Sequence, residues 1–541
     1  MAEKQPFIIL SENVQRMIGK DAQRNNIMAA RLVADTVKTT LGPKGMDKML
    51  VSSIGDITVT NDGVTILDEM EIEHPAAKMI VEIAKTQEEA VGDGTTTAVI
   101  FAGKLLENAE LLLDKKIHPT VIARGYRIAA EKSQEFLQKI AKKITAKDDK
   151  MLRQIATTAM TGKGAEAAKE KFSDIIVSAV KQVMENGKVD LGNIKLEKRK
   201  GNGVEDTELI KGIVLDKEKV HADMPSKVEN AKIALVDCAL EIKSPETDTK
   251  ININAPEQLQ AFLDQEEKIL RNMVEKVKKS GANVLFCQKG IDDTTQYYLT
   301  KAGILAARRI SQDDMGKLAK ATEGKIVSNL NELSSKELGK ASLVEEEKEG
   351  GETMLYIRGC KNPKALTILI RGGTEHVVDE IERAIKDGLG DVAASIREGK
   401  IVAGGGACEI EIAKMLRESS KTMKGREQLA IEEFASALES IPTILAENAG
   451  IDPIDILTEL KSRHKTNSTD GINIYTNKIE DTIKAGIIEP LKIKTQAIKS
   501  ASEVAIMILR IDDVIASAGG AGGGGMPSGM GGGMPPMGGE Y

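Results

Sequence analysis

The sequence predicts a multidomain α+β/α protein, with mostly helical regions at both ends and an α/β region between them. Its 541 residues exceed the ~100–200 of a typical domain, which favours two to four domains. Hydrophobic residues make up 41% of the chain but aromatic residues only 2%, so its cores are aliphatic, which favours packed helices. Between about residues 215 and 371, strand-like runs alternate with helical segments, as in an α/β layer.

The first 145 residues are predicted to form a helix, a β-hairpin and further helices. Residues 26–40 have the apolar periodicity of a helix, and the Gly-Pro pair in the following turn ends it. Two short β-like runs, 48–51 and 57–60, flank a turn that contains Gly55 and Asp56, which is typical of a hairpin. After residue 94, apolar positions step by three and four, so a long helix is predicted there.

The remainder of the chain alternates between helical and α/β regions. Residues 145–214 begin with a helical pattern and end in short β-like runs, and the pattern is helical again after residue 371. Residues 506–509 form a strand-like apolar run. The segment 518–541 is rich in Gly, Met and Pro and cannot bury enough apolar surface to offset its ordering entropy, so we expect a flexible tail. Strand-like runs within the α/β region lie at 233–236, 283–286, 303–306 and 325–327.

Charge and cysteine content exclude several classes of protein. The 75 Lys and Arg residues nearly balance the 82 Asp and Glu residues, which leaves a net charge of −7 and argues against a nucleic-acid partner. The cysteines lack CxxC spacing, and Cys238 and Cys287 adjoin apolar runs, so we expect buried thiols rather than disulfides or a zinc site. No signal-peptide core and no apolar run near the ~18 residues of a membrane span are found, so a cytoplasmic protein with no membrane partner is expected.

A glycine-rich loop at residues 92–97 is the strongest candidate for chemistry. Its glycines let the backbone approach an anion, and the N–H groups at the start of the next helix add donors, as do the hydroxyls of Thr95, Thr96 and Thr97. Asp93 within this loop is a natural Mg²⁺ ligand beside phosphate oxygens. The alternative is an N-capped turn without a ligand, although three consecutive threonine donors favour the anion site.

Three further glycine-containing segments either complete this site or are simple connections. Residues 41–45 are a second candidate phosphate loop or only a turn, and the Walker P-loop pattern does not occur in the sequence. Asp62 lies in Asn-Asp-Gly after a strand, where an ordinary Asx turn is the alternative. Residues 404–407 either approach a nucleotide or join two helices. Together the loops and their aspartates suit hydrolysis of MgATP, and no local pattern pairs a histidine with a Ser or Cys nucleophile.

Eight motifs in chain order resemble one family. They extend from residue 41 to residue 515 and read LGPKGMDKML, TNDGVTIL, VGDGTTT, TGKGAE, RGGTEH, VAGGGA, GIIEPLKIKTQA and MILRIDDVI. In this combination the chain resembles the group II chaperonin family, and most closely the thermosome subunits of archaea. The GGM-rich C-terminal segment is also similar to that family. The resemblance covers nearly the whole chain, and several motifs in register make it highly specific.

The resemblance implies the chaperonin fold with three domains. These are a mostly helical equatorial ATP-binding domain, a small α/β intermediate hinge domain and an α/β apical domain with a helical protrusion that acts as a built-in lid. An apolar stripe on the protrusion is either packed core or lid contact, or a client-binding surface. The implied boundaries are 1–146 with 406–541 (equatorial), 147–217 with 371–405 (intermediate), 218–370 (apical), about 243–275 (protrusion) and 259–277 (stripe).

The resemblance also implies ATP and Mg²⁺ as cofactors and a role for each site residue. Asp93 would bind Mg²⁺, Asp62 would help to place the hydrolytic water, and Asp387 would act as the general base from the intermediate domain. Lys163 would sense the terminal phosphate. The other implied contacts are Gly42, Pro43, Gly94, Thr95, Thr96 and Thr97 at the phosphates, and Gly406 and Glu489 near the nucleoside.

Two segments depart from the family pattern. Val64 follows Asn-Asp-Gly where the family often has alanine, and because both side chains are apolar the site can repack. Around Asp387 the chain reads KDGLGDV, and each glycine within a helix costs roughly 1 kcal/mol relative to alanine. Asp391 is a second acid close by, so it is the alternative to Asp387 as the catalytic carboxylate.

The implied function is that of an ATP-dependent chaperone whose stacked rings encapsulate and fold non-native protein clients. Paralogous subunits could share the ring, and no separate lid co-chaperonin is implied. Terminal strands at 7–10 and 506–509 would pair with the 48–60 hairpin of a neighbouring subunit. Two other classes stay open from the residues alone, namely a small-molecule kinase and a scaffold that binds nucleotide without hydrolysing it.

Overall fold

A computed structural model describes residues 14–164, 166–242, 256–349, 351–423 and 425–517. Helices dominate both ends of the described chain and a mixed sheet lies in the middle, as the predicted α+β/α class requires. None of the described helices has both the length and the apolar character needed to cross a lipid bilayer. The predicted N-terminal strand at 7–10, the start of the protrusion and the predicted tail lie outside the described residues.

The N-terminal part consists of aliphatic helices and one hairpin. Proline occupies the first position of two helices, where its fixed φ suits the helix and its missing N–H is not needed. His74 and His118 cap these two helices by accepting a backbone N–H. The elements are β1 (Val14–Ile18), α1 (Gly19–Lys38), β2 (Lys48–Val51), β3 (Ile57–Thr60), α2 (Gly63–Glu69), α3 (Pro75–Ala90), α4 (Thr95–Asp114) and α5 (Pro119–Ile140).

The middle part alternates strands and helices. Its strands are rich in Ile, Val and Leu, and several are buried along their whole length, as expected for a sheet covered on both faces. The elements are β4 (Lys142–Lys143), α6 (Asp149–Met160), α7 (Lys169–Val183), β5 (Ile194–Lys200), β6 (Glu208–Ile210), β7 (Gly212–Leu215), β8 (Lys227–Val236), α8 (Pro256–Ser280), β9 (Val284–Cys287), α9 (Asp293–Lys301), β10 (Leu305–Ala307), α10 (Gln312–Thr322), β11 (Ile326–Val327), β12 (Gly339–Glu349), β13 (Glu352–Arg358) and β14 (Leu366–Gly372).

The C-terminal part is helical again, with short strands between the helices. Glycine in the left-handed conformation follows α11 and α13, where the absence of a Cβ lets the chain leave the helix. The elements are α11 (Glu375–Glu398), β15 (Lys400–Ala403), α12 (Ala407–Ser420), α13 (Glu427–Ala449), α14 (Pro453–Arg463), β16 (Asp470–Asn473), β17 (Lys478–Asp481), α15 (Thr482–Ala485), β18 (Ile488–Pro490), α16 (Leu491–Leu509) and β19 (Asp513–Ser517).

The largest apolar core joins helices from both ends of the chain. In it α1, α3, α4 and α5 pack with α12, α13 and α16, and Phe434 meets Phe101 and Tyr126 edge to face, with ring centroids 5.2 and 5.7 Å apart. A second core lies between α6, α7, α11 and the sheet β5-β14-β6. A third region covers the sheet β10-β9-β8-β12-β13-β7, to which β11 adds beside β8. Helices α4 and α11 therefore belong to different cores.

The predicted strand at residues 506–509 is wrong, because these residues complete helix α16. Ile506, Ile508 and Leu509 are buried there, and a short apolar run carries too little periodicity to separate a buried helix from a strand. The C-terminal strand is instead β19, which pairs antiparallel with β1 of the same chain. Arg16 and Asp513 form an ion pair of 2.6 Å across it. Residues 506–509 therefore cannot supply a strand to a neighbouring hairpin.

The prediction of buried cysteine thiols is confirmed for Cys287 but is wrong for Cys238, which is only partly buried because it lies just after the end of β8. Cys238, Cys287, Cys360 and Cys408 are all free thiols, and Cys287 is fully buried in the sheet. Burial raises the pKa of the Cys287 thiol to about 12, so it stays protonated and behaves as a small apolar side chain.

Candidate nucleotide site

A cleft beside the start of α4 collects loops that lie far apart in the sequence. Its walls come from the turn after α1, the segment after β3, the loops before α4 and after α6, the loop before α12, and β18. Asp387 lies behind this wall and contacts it through Lys163. The predicted site residues that line the cleft are Gly42, Pro43, Asp62, Asp93, Gly94, Thr95, Thr96, Thr97, Lys163, Gly406 and Glu489.

The loop before α4 has the form of an anion site. Gly94 is the N-cap of α4 with φ of 79°, and among the described residues no side chain caps this helix start. The first-turn N–H groups therefore lack helical partners, and the three threonines of this turn line the cleft. The buried Gln87 donates from Nε2 to the Asp93 carbonyl at 2.8 Å, which fixes the loop against α3.

Gly94→Ala is expected to weaken nucleotide binding about tenfold or more, since a left-handed φ costs a residue with a Cβ about 1–2 kcal/mol. The new Cβ would also lie 2.5 Å from Ile493 Cγ2. Equilibrium binding of a fluorescent ATP analogue measures the effect. Gly450→Ala is the matched control, because Gly450 has φ of 73°, has nothing within 4 Å of its Cβ position and lies outside the cleft wall. Unchanged affinity in Gly94→Ala would contradict an anion site here.

Asp62 both caps a helix and lines the cleft. Its Oδ2 accepts hydrogen bonds from the Thr65 N–H at 2.9 Å and from the Thr65 hydroxyl at 2.7 Å, so the capping turn that the sequence allowed is present at the start of α2. The start of α2 abuts the start of α4, since a Cβ on Gly63 would lie 3.1 Å from the Thr96 nitrogen. This packing places the Asp62 carboxylate in the wall of the cleft.

Lys163 connects the two acidic sides of the cleft. Its Nζ lies 3.5 Å from Asp93 Oδ1 and donates a hydrogen bond to the buried Asp387 carboxylate. Asn61 donates from Nδ2 to the Gly162 carbonyl at 2.6 Å and holds the Lys163 loop in place. Burial alone would lower the pKa of the Lys163 ammonium, but the carboxylates of Asp387 and Asp93 outweigh it and hold that pKa well above its usual value. Lys163 is therefore a positive charge between two carboxylates.

Helix α11 comes unusually close to the loop that carries Asp93, because Gly390 has no side chain. A Cβ on Gly390 would lie 2.5 Å from the Val91 carbonyl oxygen. The close approach brings two buried acids of α11 to the site, Asp387 behind Lys163 and Asp391 in the cleft wall. The glycine that departs from the family pattern thus has a packing reason that outweighs its cost in the helix.

Asp391 is the acid that lines the cleft directly, so the alternative left open by the sequence is a real one. Its side chain is only 2% exposed, and its Oδ1 has no hydrogen-bond partner among the described residues. Burial, together with the nearby carboxylates of Asp93 and Asp387, raises the pKa of the Asp391 carboxyl well above its usual range. The two acids therefore differ in their contacts, because Lys163 hydrogen-bonds Asp387 but not Asp391 Oδ1.

The lining of the cleft also contains an ion triad and a set of apolar side chains. Lys494 Nζ lies 2.6 Å from Glu489 Oε2 and 2.8 Å from Glu409 Oε1, and Lys494 and Glu409 are buried. Sequence reasoning missed Lys494 and Glu409, although Lys494 follows Glu489 within one of the family motifs and so could have been found. The apolar wall, which suits a flat base, consists of Ile441, Leu445, Ile472, Ile474 and Ile487.

These residues fit a magnesium nucleotide. The helix start and the threonine hydroxyls suit phosphates, the apolar side chains suit a base, and Asp93 offers a carboxylate in the loop before α4. The part of the chain that the structure describes contains no group of three or more His, Cys, Asp or Glu arranged around a metal position. Mg²⁺ usually takes one or two carboxylates from a protein and completes its shell with phosphates and water, so Asp93 could hold it beside bound phosphates.

Comparison with known proteins points to one family. The family model for the TCP-1/cpn60 chaperonin family matches residues 33–518. A thermosome subunit of Methanopyrus kandleri is 60% identical over 515 residues, which cover 94% of each chain. The thermosome subunit beta of Archaeoglobus fulgidus is 59% identical over 534 residues, or 97% of this chain and 98% of its own. A thermosome subunit of Pyrococcus horikoshii is 59% identical over 519 residues.

The matches cover the glycine loops, Lys163, α11 and β18, which together form the cleft. They confirm the resemblance that the eight motifs indicated. The chain belongs to the TCP-1/cpn60 chaperonin family, in its archaeal group II branch.

Proposed function

We propose that the chain is a subunit of a double-ring chaperonin that uses ATP hydrolysis to close a built-in lid over non-native protein clients. An ATP-dependent chaperonin role is the role of the family to which it belongs. The observation that carries the proposal for this chain is the cleft. It is lined by a helix start without a side-chain cap, by two loop aspartates and by Lys163, which hydrogen-bonds Asp387 behind the wall.

We assign the equatorial domain to 1–146 with 406–541, the intermediate domain to 147–217 with 371–405, and the apical domain to 218–370. The largest apolar core supports the first assignment, since it joins helices from both ends of the chain. The core between α6, α7 and α11 supports the second, and the mixed sheet with its covering helices supports the third. Helix α8, with Leu259, Phe262 and Leu263 about half exposed, supports a protrusion available for lid or client contacts.

Each cleft residue has a role in hydrolysis under this proposal. When bound, ATP supplies the phosphoryl group and Mg²⁺ offsets the charge of its oxygens. Asp93 would hold the metal, and Gly42, Pro43, Gly94 and the hydroxyls of Thr95, Thr96 and Thr97 would bind phosphate. Glu489 and Gly406 would contact the nucleoside. Asp62 would orient the attacking water and Asp387 would accept its proton.

Lys163 explains how hydrolysis and domain movement are coupled. Its hydrogen bond to Asp387 Oδ2 links the proposed base to the lysine that would contact the terminal phosphate. Asp387 and Lys163 belong to the core of α6, α7 and α11, whereas Asp93 precedes α4 in the largest core. Movement between the two cores therefore assembles or dismantles the complete site.

Stacked rings of this chain, alone or with paralogous subunits, are the proposed assembly, with a cytoplasmic location and no separate lid co-chaperonin. Relatives named thermosome subunit alpha and subunit beta in one organism support assembly with paralogues. The β2–β3 hairpin supports contact between neighbouring subunits, because it exposes a run of apolar side chains. These are Met49, Val51, Ile54 and Ile57.

The purified chain is expected to hydrolyse ATP and release phosphate when Mg²⁺ is present. Phosphate release is expected to stop when EDTA removes the metal. Phosphate release without a small-molecule acceptor measures this, and negative-stain images are expected to show rings. Phosphate transfer that requires a small acceptor would indicate a kinase, and binding without turnover would indicate a scaffold. A monomer in ultracentrifugation with MgATP would contradict the ring.

A further inference from the structure

Asp391 has a buried oxygen with no partner in the protein. The side chain is 2% exposed, it lines the cleft, and its Oδ1 meets no donor among the described residues. A buried carboxylate oxygen that makes no hydrogen bond costs free energy, and apolar side chains usually replace such groups without loss of stability. The unpaired oxygen therefore points to a donor that arrives with a ligand.

The charged groups around Asp391 indicate what kind of donor would bind its oxygen. They include Asp93, Asp387, Lys163 and Glu489, three carboxylates and one ammonium. The ammonium already hydrogen-bonds Asp387 and lies 3.5 Å from Asp93. A phosphate oxygen in contact with Asp391 would add another negatively charged acceptor to these carboxylates. A cation would instead offset their negative charge, and its bound water would supply hydrogen-bond donors.

Gly390 fixes where Asp391 lies relative to the loop of Asp93. Gly390 packs directly against the Val91 carbonyl, and this contact holds α11 against the loop before α4. Asp391, the next residue, is thereby held in the same cleft wall as Asp93. Mg²⁺ keeps several of its water molecules when a protein supplies one or two carboxylates, and those waters need acceptors.

We propose that Asp391 is a positioning residue, whose free oxygen accepts hydrogen bonds from the water that hydrates Mg²⁺ at Asp93. The inference rests on the proposed function, because it assumes that Asp93 holds the metal of a bound nucleotide. It also separates the two acids of α11. Asp387 acts on the attacking water, and Asp391 orients the hydration shell of the metal.

Asp391→Val and Asp391→Asn in the full-length protein test the inference. Binding of ADP is measured while Mg²⁺ is titrated, and separately in EDTA. For Asp391→Val, the half-saturating Mg²⁺ concentration is expected to rise about tenfold, in line with the effect of removing an outer-shell partner of a metal. Affinity for ADP in EDTA is expected to stay within about twofold. Asp391→Asn, which keeps one acceptor oxygen, is expected to fall between wild type and Asp391→Val.

Thermal unfolding without nucleotide separates this role from a structural one. Asp391→Val is expected to unfold at the wild-type temperature or higher, because valine removes an unpaired buried oxygen. An unchanged Mg²⁺ requirement, or a lower unfolding temperature in both variants, would overturn the inference. Wild-type protein that binds ADP equally with Mg²⁺ and with EDTA would instead overturn the proposed metal site.

Discussion

Asp387→Ala is expected to lower kcat for ATP hydrolysis at least about 100-fold while nucleotide binding survives, because a positioned general base contributes about 10²–10⁴-fold. The Asp387 carboxylate is buried and its hydrogen-bond donor is Lys163, so its loss removes the acceptor and frees the ammonium. Steady-state phosphate release and equilibrium binding of an ATP analogue, measured on the same preparation, check the two halves of this expectation.

Asp387→Asn is the control for the position of Lys163. The amide oxygen can still accept the hydrogen bond from Lys163 Nζ but is not a base, so turnover is expected to fall as far as in the alanine variant. Turnover near the wild-type rate in both variants would show that Asp387 is not the base. A loss in alanine alone would assign Asp387 to holding Lys163 rather than to proton transfer.

Gly390→Ala is expected to abolish most ATP turnover although alanine favours a helix. In an unhindered helix, replacing glycine by alanine would stabilise the helix by roughly 1 kcal/mol. Here the new Cβ would lie 2.5 Å from the Val91 carbonyl oxygen, so α11 and the loop before α4 must separate. Because Asp387 and Lys163 then move away from Asp93, and a displacement of about 1 Å can cost 100-fold, kcat is expected to drop by about that factor.

Gly316→Ala is the matched control for this prediction. Gly316 lies inside helix α10, and nothing lies within 4 Å of its Cβ position. This variant is expected to unfold at a slightly higher temperature than wild type and to hydrolyse ATP at the wild-type rate. Wild-type turnover in Gly390→Ala would contradict the need for close contact between α11 and the loop before α4.

Much of the fold and most of the cleft could be predicted from the sequence, because local patterns determine them. Helix α4 after the 92–97 loop and the hairpin at 48–60 follow from periodicity and turn residues. The cleft-lining residues came from motifs whose glycines and threonines serve one purpose, close approach to an anion. Their convergence is the part that a single sequence shows only through the family resemblance.

The features that sequence reasoning missed depend on tertiary contacts. The run 506–509 has the composition of a strand but packs as the last turn of α16, because neighbouring helices supply its surroundings. In the sequence Lys494 cannot be told from a surface lysine, because only the fold brings Glu409 next to it. In the sequence Gly390 only weakens a helix, and its packing against the Val91 carbonyl is visible only in the fold. No local pattern encodes such contacts.

The packing between the two ends of the chain determines when the proposed nucleotide cleft can be completed during folding. Helix α16 packs on α3 and α4, the buried Gln87 also donates a hydrogen bond to the Ile493 carbonyl at 3.3 Å, and Ile493 lines the same cleft as Gly94. A contact across 406 residues closes late in folding, because the intervening chain must be ordered first. On a ribosome, a nascent chain that stops before α16 would therefore still lack Ile493 and Lys494 from the wall of the proposed nucleotide cleft.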